Sequence, residues 1–195
     1  MKIEQLKKGL QLFTDKVNQQ KDYLSDLDRE IGDGDHGANM ARGTTAMMEA
    51  LTAKQPVELA EVFKLAGMAL ISKVGGASGP LYGSAFIGMA KAADSTSEPH
   101  ALIAAGLVAI QQRGKAEVGE KTLVDVWAPI SEMLEQEQQL TMDNIEEVVA
   151  ATKDIKATKG RASYLGERSI GHLDPGAVSS GYFFEALIES GSFDE

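Results

Sequence analysis

Stretches of helically spaced apolar residues alternate with glycine-rich breaks along this chain, and that alternation restricts the fold more than any other feature. Ile3, Leu6, Leu10, Phe13, Val17 and Leu24 follow one another at intervals of three, four, three, four and seven residues, which keeps them on one face of an α-helix. Seven further stretches read as helical, at about 38–52, 57–74, 80–93, 99–113, 122–138, 142–157 and 176–190, each bordered by Gly, Pro, Ser or Thr. No alternating run of β-branched residues supports a sheet. The expectation is an all-α fold of eight helices in a single domain spanning 1–195.

The glycine-rich segments at 32–37, 75–83, 114–121 and 160–176 follow the first, third, fifth and seventh of these helices. In an up-and-down bundle with short links, alternate connections lie at the same end, so all four would meet at one rim. Glycines there let backbone N–H groups approach a ligand closely, although ordinary helix caps would also use them.

Charge and composition narrow what such a rim could hold. Nineteen basic residues against 29 acidic give a formal charge of −10, which argues against a nucleic-acid partner, because phosphate backbones need a basic face. A phosphate ligand would then need a metal as intermediary. The chain has no cysteine, which excludes disulfides, thiolate nucleophiles and zinc–thiolate sites and makes the cytoplasm its expected compartment. No run approaches the roughly 20 apolar residues of a membrane span, and the N-terminus lacks the apolar centre of a signal peptide.

The segment "DREIGDGDHGAN" contains a literal Gly-x-Gly-x-x-Gly, at Gly32, Gly34 and Gly37, with aspartates inside it. A dinucleotide fingerprint needs a strand before it, and the preceding "QQKDYLSDLDRE" is polar with a helical period. A calcium-binding EF-hand loop starting at Asp33 would find Gly37 at its fifth position and Thr44 at its twelfth, so that template also fails. Asp28, Asp33 and Asp35 remain. On a continuous helix, residues five apart sit about 140° around the axis, so only a glycine-broken turn can gather the three. Clustered carboxylates repel unless a cation holds them, and hard oxygen ligands select Mg²⁺ or a similar ion with positions left for water or phosphate. His36, next in sequence, could ligate the metal, donate to a phosphate or brace the turn. His100 reads as structural and His172 as a weaker site candidate.

"GGASGPLYGSAF" offers the Ser78 hydroxyl beside glycines, with Pro80 at a helix start whose N–H groups attract anions. "RGKAEVGEKTLVDVW" brings Gly119, Lys121 and Thr122 before an apolar helix, with Thr122 either an N-cap or a phosphate ligand. "GRASYLGERSIGHLDPGA" contains Arg161 and Arg168, which can pair with phosphate or carboxylate, and an Asp-Pro-Gly turn able to wall a base or ribose.

Taken in order, "LDREIGDGDHGANMARG", "GGASGPLYG", "KAEVGEKT" and "GRASYLGERSIGHLDPGA" resemble the L subunits of bacterial phosphotransferase-dependent dihydroxyacetone kinases, across nearly the whole chain. The resemblance implies a barrel of eight antiparallel amphipathic helices with ADP and two Mg²⁺ at one rim, the metals held by Asp28, Asp33 and Asp35. It also implies phosphate contacts at His36, Gly37, Ala38, Asn39, Ala77, Ser78 and Thr122, and nucleotide contacts at Gly119, Leu123, Arg161, Asp174 and Pro175. ADP would stay bound and be rephosphorylated by a phosphohistidine-carrying M subunit, the phosphoryl group then passing to dihydroxyacetone on a K subunit. No catalytic base is required of this chain, because phosphoryl transfer asks mainly for alignment and charge neutralisation. Two other readings use the same residues: a nucleotide-binding module that reports to a transcription regulator, and a metal-dependent phosphohydrolase. A homodimer is left open.

Overall fold

The computed structural model describes residues 1–194, and among these the regular structure is entirely helical. There are nine α-helices: α1 Ile3–Gln19, α2 Lys21–Ile31, α3 His36–Lys54, α4 Leu59–Lys73, α5 Ser78–Ala93, α6 Pro99–Gly114, α7 Val124–Glu135, α8 Met142–Ala151 and α9 Pro175–Glu189. Short 3-10 segments, Thr152–Asp154 and Arg161–Ser169, occupy the connection between α8 and α9.

The count exceeds the expected eight because the first helix breaks at Gln20, whose backbone (φ −104°, ψ 12°) leaves the α region. The chain bends there without reversing, so α1 and α2 together take the place expected of one helix. The stretch expected at 142–157 ends its α-helix at Ala151, and the one expected at 122–138 begins at Val124, because the Thr122 hydroxyl accepts the Val124 N–H at 3.1 Å.

Helix neighbours run in a closed cycle: α1 packs on α3, each helix from α3 onward packs on its successor, and α9 returns to α1. α2 lies across α3 and α9. The centre of this ring is aromatic. The Phe183 ring sits 5.5 Å from those of Phe13, Phe86 and Trp127 and 5.3 Å from that of Phe184. All five side chains are buried, and such pairs contribute about 0.5–1.5 kcal/mol each beyond area burial. The filled centre leaves the helix ends as the place for a ligand. The connections α2–α3, α4–α5, α6–α7 and the longer α8–α9 meet at one end of the ring, which brings together the N-termini of α3, α5, α7 and α9.

Candidate functional site

That end carries a cleft of about 570 Å³ walled by all four of the expected segments, from Asp28 to Asn39, Gly75 to Leu81, Ile110 to Val124 and Lys159 to Gly176. Four helices start there, each directing the positive end of its dipole toward the cleft. The acidic chain thus presents one surface suited to anions.

Asp28, Asp33 and Asp35 each bring a carboxylate oxygen to within 4.8 Å of the other two. α2 supplies Asp28, and the turn before α3 supplies the others. The Asp28 Oδ2 accepts the backbone N–H groups of Asp35 at 2.9 Å and His36 at 3.1 Å, so one side chain both caps α3 and fixes the acidic turn. Gly32 is needed beside it: a Cβ there would lie 2.1 Å from the Asp28 Oδ1. Burial raises the Asp28 carboxyl above its ordinary pKa against the lowering effect of those two N–H groups, and the neighbouring Asp33 carboxylate raises it further. A cation among the three would reverse that strain, and an all-oxygen, all-carboxylate donor set fits a hard divalent ion. From across the cleft the Arg161 guanidinium reaches the Asp33 Oδ2 at 2.7 Å.

His36 is buried, with its Nε2 2.9 Å from the Ser179 Oγ and its Nδ1 3.1 Å from the Ser78 Oγ. Burial lowers its pKa to about 4. Of the three roles left open by the sequence, these contacts match the brace: both ring nitrogens are engaged by hydroxyls. Asn39, also buried, accepts from the Arg42 guanidinium at 2.7 Å. Thr122 lies one residue before Leu123, the N-cap of α7; its hydroxyl accepts the Val124 N–H, and it also lines the cleft.

Asp174 is the N-cap of α9, its Oδ2 accepting the Ala177 N–H at 2.7 Å. Burial pushes its carboxyl up to about 7, and nearby Asp125 and Asp28 add to the rise while Lys121 opposes it. Ala77, Ser78, Leu123, Arg161 and Pro175 also line the cleft. Gly37, Ala38 and Gly119 are off its wall, as are His100 and His172; the last has its Nδ1 3.9 Å from Glu30.

Two residues have roles that the sequence pattern does not assign. Lys121, by its neighbours a phosphate-binding candidate, turns inward: its ammonium donates to the carbonyls of Thr152 at 2.6 Å, Ile155 at 3.1 Å and Lys153 at 3.4 Å. Asp125 is the second. Its carboxylate accepts the Gly119 N–H at 2.5 Å and the Thr122 N–H at 2.8 Å, which pins the loop before α7 with Gly119 at φ +91°. The one sequence signal for it is an acid in the first turn of a helix, three residues after Thr122.

Fold and cleft together describe an all-helical domain with a carboxylate-bearing ligand cleft at one end of its ring, and comparison with known proteins gives its family. The DAK2 domain matches residues 30–189, and the chain belongs to that family. A Lactococcus lactis protein described as the ADP-binding subunit of a PTS-dependent dihydroxyacetone kinase is 58% identical over 177 residues, covering 91% of this chain and 92% of that one. A Listeria innocua protein described as the ADP-binding subunit of a PEP-dependent dihydroxyacetone kinase is 57% identical over 182 residues, covering 91% of each. The crystal structure of the dihydroxyacetone kinase from C. freundii in complex with AMP-PNP and Mg²⁺ is similar with a TM-score of 0.75 and 26% identity over 95% of this chain. This chain spans only 33% of that one.

Proposed function

We propose that this chain, as one domain, is the nucleotide-carrying subunit of a phosphotransferase-dependent dihydroxyacetone kinase. The M subunit returns a phosphoryl group to ADP held in place, and the K subunit presents dihydroxyacetone to receive it, giving dihydroxyacetone phosphate. The observation that carries the reading is the joining of the three-carboxylate cluster to four helix N-termini around one cleft. Supporting it are relatives similar over about nine-tenths of their length whose descriptions specify ADP binding.

In this reading Asp28, Asp33 and Asp35 hold two Mg²⁺ ions, which supply charge neutralisation for the diphosphate. The N–H groups opening α3 and α5, with the Ser78 and Thr122 hydroxyls, orient the phosphates. Gly37, Ala38 and Gly119 contribute backbone at the edges of that cradle. Leu123 and Pro175 wall the base, Asp174 faces the ribose, and Arg161 closes over the site from the Arg161–Ser169 segment. The protein works in the cytoplasm with both partners; among the described residues, no helix is long and apolar enough to cross a membrane.

A native mass spectrum of the purified chain tests the first half: protein carrying ADP and Mg²⁺ is expected, and protein that takes up neither when both are supplied refutes the reading. Reconstitution tests the second half. Dihydroxyacetone phosphate should form only when K and M subunits and phosphoenolpyruvate are all present, and hydrolysis of ATP by the chain alone would favour a phosphohydrolase instead.

A further inference from the structure

A line of buried hydrogen bonds runs from the aromatic core to the cleft. The Trp127 Nε1 lies 3.1 Å from the Ser180 Oγ, the Ser180 Oγ 2.9 Å from the Tyr82 hydroxyl, and the Tyr82 hydroxyl 2.7 Å from the Ser179 Oγ. The line continues from the Ser179 Oγ to the His36 Nε2 at 2.9 Å, and from the His36 Nδ1 to the Ser78 Oγ at 3.1 Å. Trp127, Tyr82, Ser179 and Ser180 are fully buried, and Ser78 faces the cleft.

The direction of this line follows from donor counting. An indole N–H can only donate, so the Ser180 oxygen accepts from Trp127. The other contact of Ser180 is Tyr82, and a Tyr82 proton directed at Ser180 would leave the serine's own proton unpaired in the core, at the cost of an unmade buried hydrogen bond. Ser180 therefore donates to Tyr82. Tyr82 has one proton and two acceptors, the Ser179 Oγ at 2.7 Å and the Gly176 carbonyl at 3.4 Å, and the shorter contact takes it.

Ser179 then has a choice between the His36 Nε2 at 2.9 Å and the Gly176 carbonyl at 3.1 Å. Donation to Gly176 would leave His36 protonated on Nε2, with Nδ1 accepting the Ser78 proton, so that Ser78 would turn a lone pair toward the cleft. Donation to His36 puts the ring proton on Nδ1, aimed at the Ser78 oxygen, and frees the Ser78 proton for the cleft. Two influences favour the second arrangement: the Ser179 oxygen already receives the Tyr82 proton, which makes it a better donor to Nε2 than acceptor from it, and an anionic oxygen beside Ser78 accepts a proton and repels a lone pair.

We propose that Trp127, Ser180, Tyr82 and Ser179 are positioning residues: their one-way hydrogen-bond line holds His36 in its Nδ1–H form and turns the Ser78 hydroxyl proton toward a phosphate oxygen in the cleft. This rests on the nucleotide reading of the cleft. Each bond in such a line polarises the next, so cutting it far from the ligand weakens the last donor.

The test is nitrogen-15 NMR of the imidazole of His36 in the full chain, with Mg²⁺ and ADP added, alongside the ADP dissociation rate. Wild type should show the proton on Nδ1. Tyr82→Phe keeps the ring and removes the link; it should shift His36 toward Nε2–H and speed ADP release about fivefold, the scale of one neutral hydrogen bond. If Tyr82→Phe does not fold, Ser180→Ala cuts the same line with one atom and is read identically. Wild-type His36 on Nε2–H with ADP bound overturns the proposal. Faster release without a change of ring form also overturns it, since that is what loosened packing alone would give, and so does a change of ring form without faster release. A wild-type chain that binds no ADP overturns the nucleotide reading first, and is recognised before any substitution is made.

Discussion

Replacing Lys121 by Met removes a charge from the interior while nearly preserving shape, and the structure sets the size of the effect. The side chain is 1% exposed, so the thioether would occupy the same channel. What disappears is the ammonium that joins the loop before α7 to the end of α8. The Thr152 carbonyl keeps a long bond from the Ile155 N–H at 3.3 Å, and the Lys153 carbonyl keeps the Gly171 N–H at 2.8 Å. The Ile155 carbonyl loses its ammonium donor at 3.1 Å. Two good charge-assisted bonds, at about 1.5–3 kcal/mol each, are set against relief from burying an ammonium, which itself lowers the Lys121 pKa. The net expectation is a loss of about 3 kcal/mol, or a fall in melting temperature of roughly 6–12 °C for a chain of this size. Urea denaturation should be followed on protein freed of metal and nucleotide, because bound ligand would mask the loss by linkage. ADP affinity should fall as well, since Asp174 and the segment before it form a wall of the cleft. A variant within about 0.5 kcal/mol of wild type would refute the idea that these bonds tie the two loops together.

Three further outcomes follow from the same geometry. Asp33→Asn or Asp35→Asn should release both metal and nucleotide, read by native mass spectrometry; unchanged metal content in both variants would rule out the cluster as a cation site. Asp125→Asn leaves one acceptor oxygen for the two N–H groups of Gly119 and Thr122, so urea denaturation should show a loss of about 1–3 kcal/mol, and equal stability would contradict the pinning role. Asp174 goes from an ordinary 3.8 to about 7 on folding, so the ligand-free native state holds an extra proton between those values and its stability should fall as pH rises through that window. Asp174→Asn should flatten that slope, and an unchanged slope would place the proton elsewhere.

Periodicity locates the helices but not the bend at Gln20. Val17 and Leu24 are seven residues apart and hold one apolar face through it, so a break that preserves phase leaves no mark in the pattern. The rim is legible because it depends only on the order of glycine-rich segments. The carboxylate cluster is legible because three acids gathered in one broken turn repel each other unless a cation joins them. Lys121 is misleading for a different reason. A lysine beside Gly and Thr in a loop reads as a solvent or phosphate cation, and nothing local reveals that the end of α8, about 30 residues later, needs a donor. The polar line through the core is equally hidden: Ser179 and Ser180 are two ordinary helix residues until Tyr82, Trp127 and His36 from three other helices meet them.

How a chain of formal charge −10 would retain a diphosphate follows from what its nearby cations already do. Lys121 is spent on carbonyls, Arg42 on the Lys73 carbonyl and Asn39, and Lys159 lies 3.9 Å from Glu120. Arg161 pairs with Asp33, a member of the carboxylate cluster. Among the described residues Arg113, on the cleft wall, has no such partner, so few side-chain cations remain for phosphate, and most of the task falls to ions held by the carboxylates and to the N-termini of α3, α5, α7 and α9. Such an arrangement makes metal and nucleotide each depend on the other, because acids cluster stably only around a cation and phosphate approaches acids only through one. It also disfavours His36 as a phosphate carrier. Phosphorylating either ring nitrogen would break a buried contact to Ser78 or Ser179 and set about two negative charges beside Asp35 and Asp28. A terminal phosphate of the bound nucleotide meets neither obstacle.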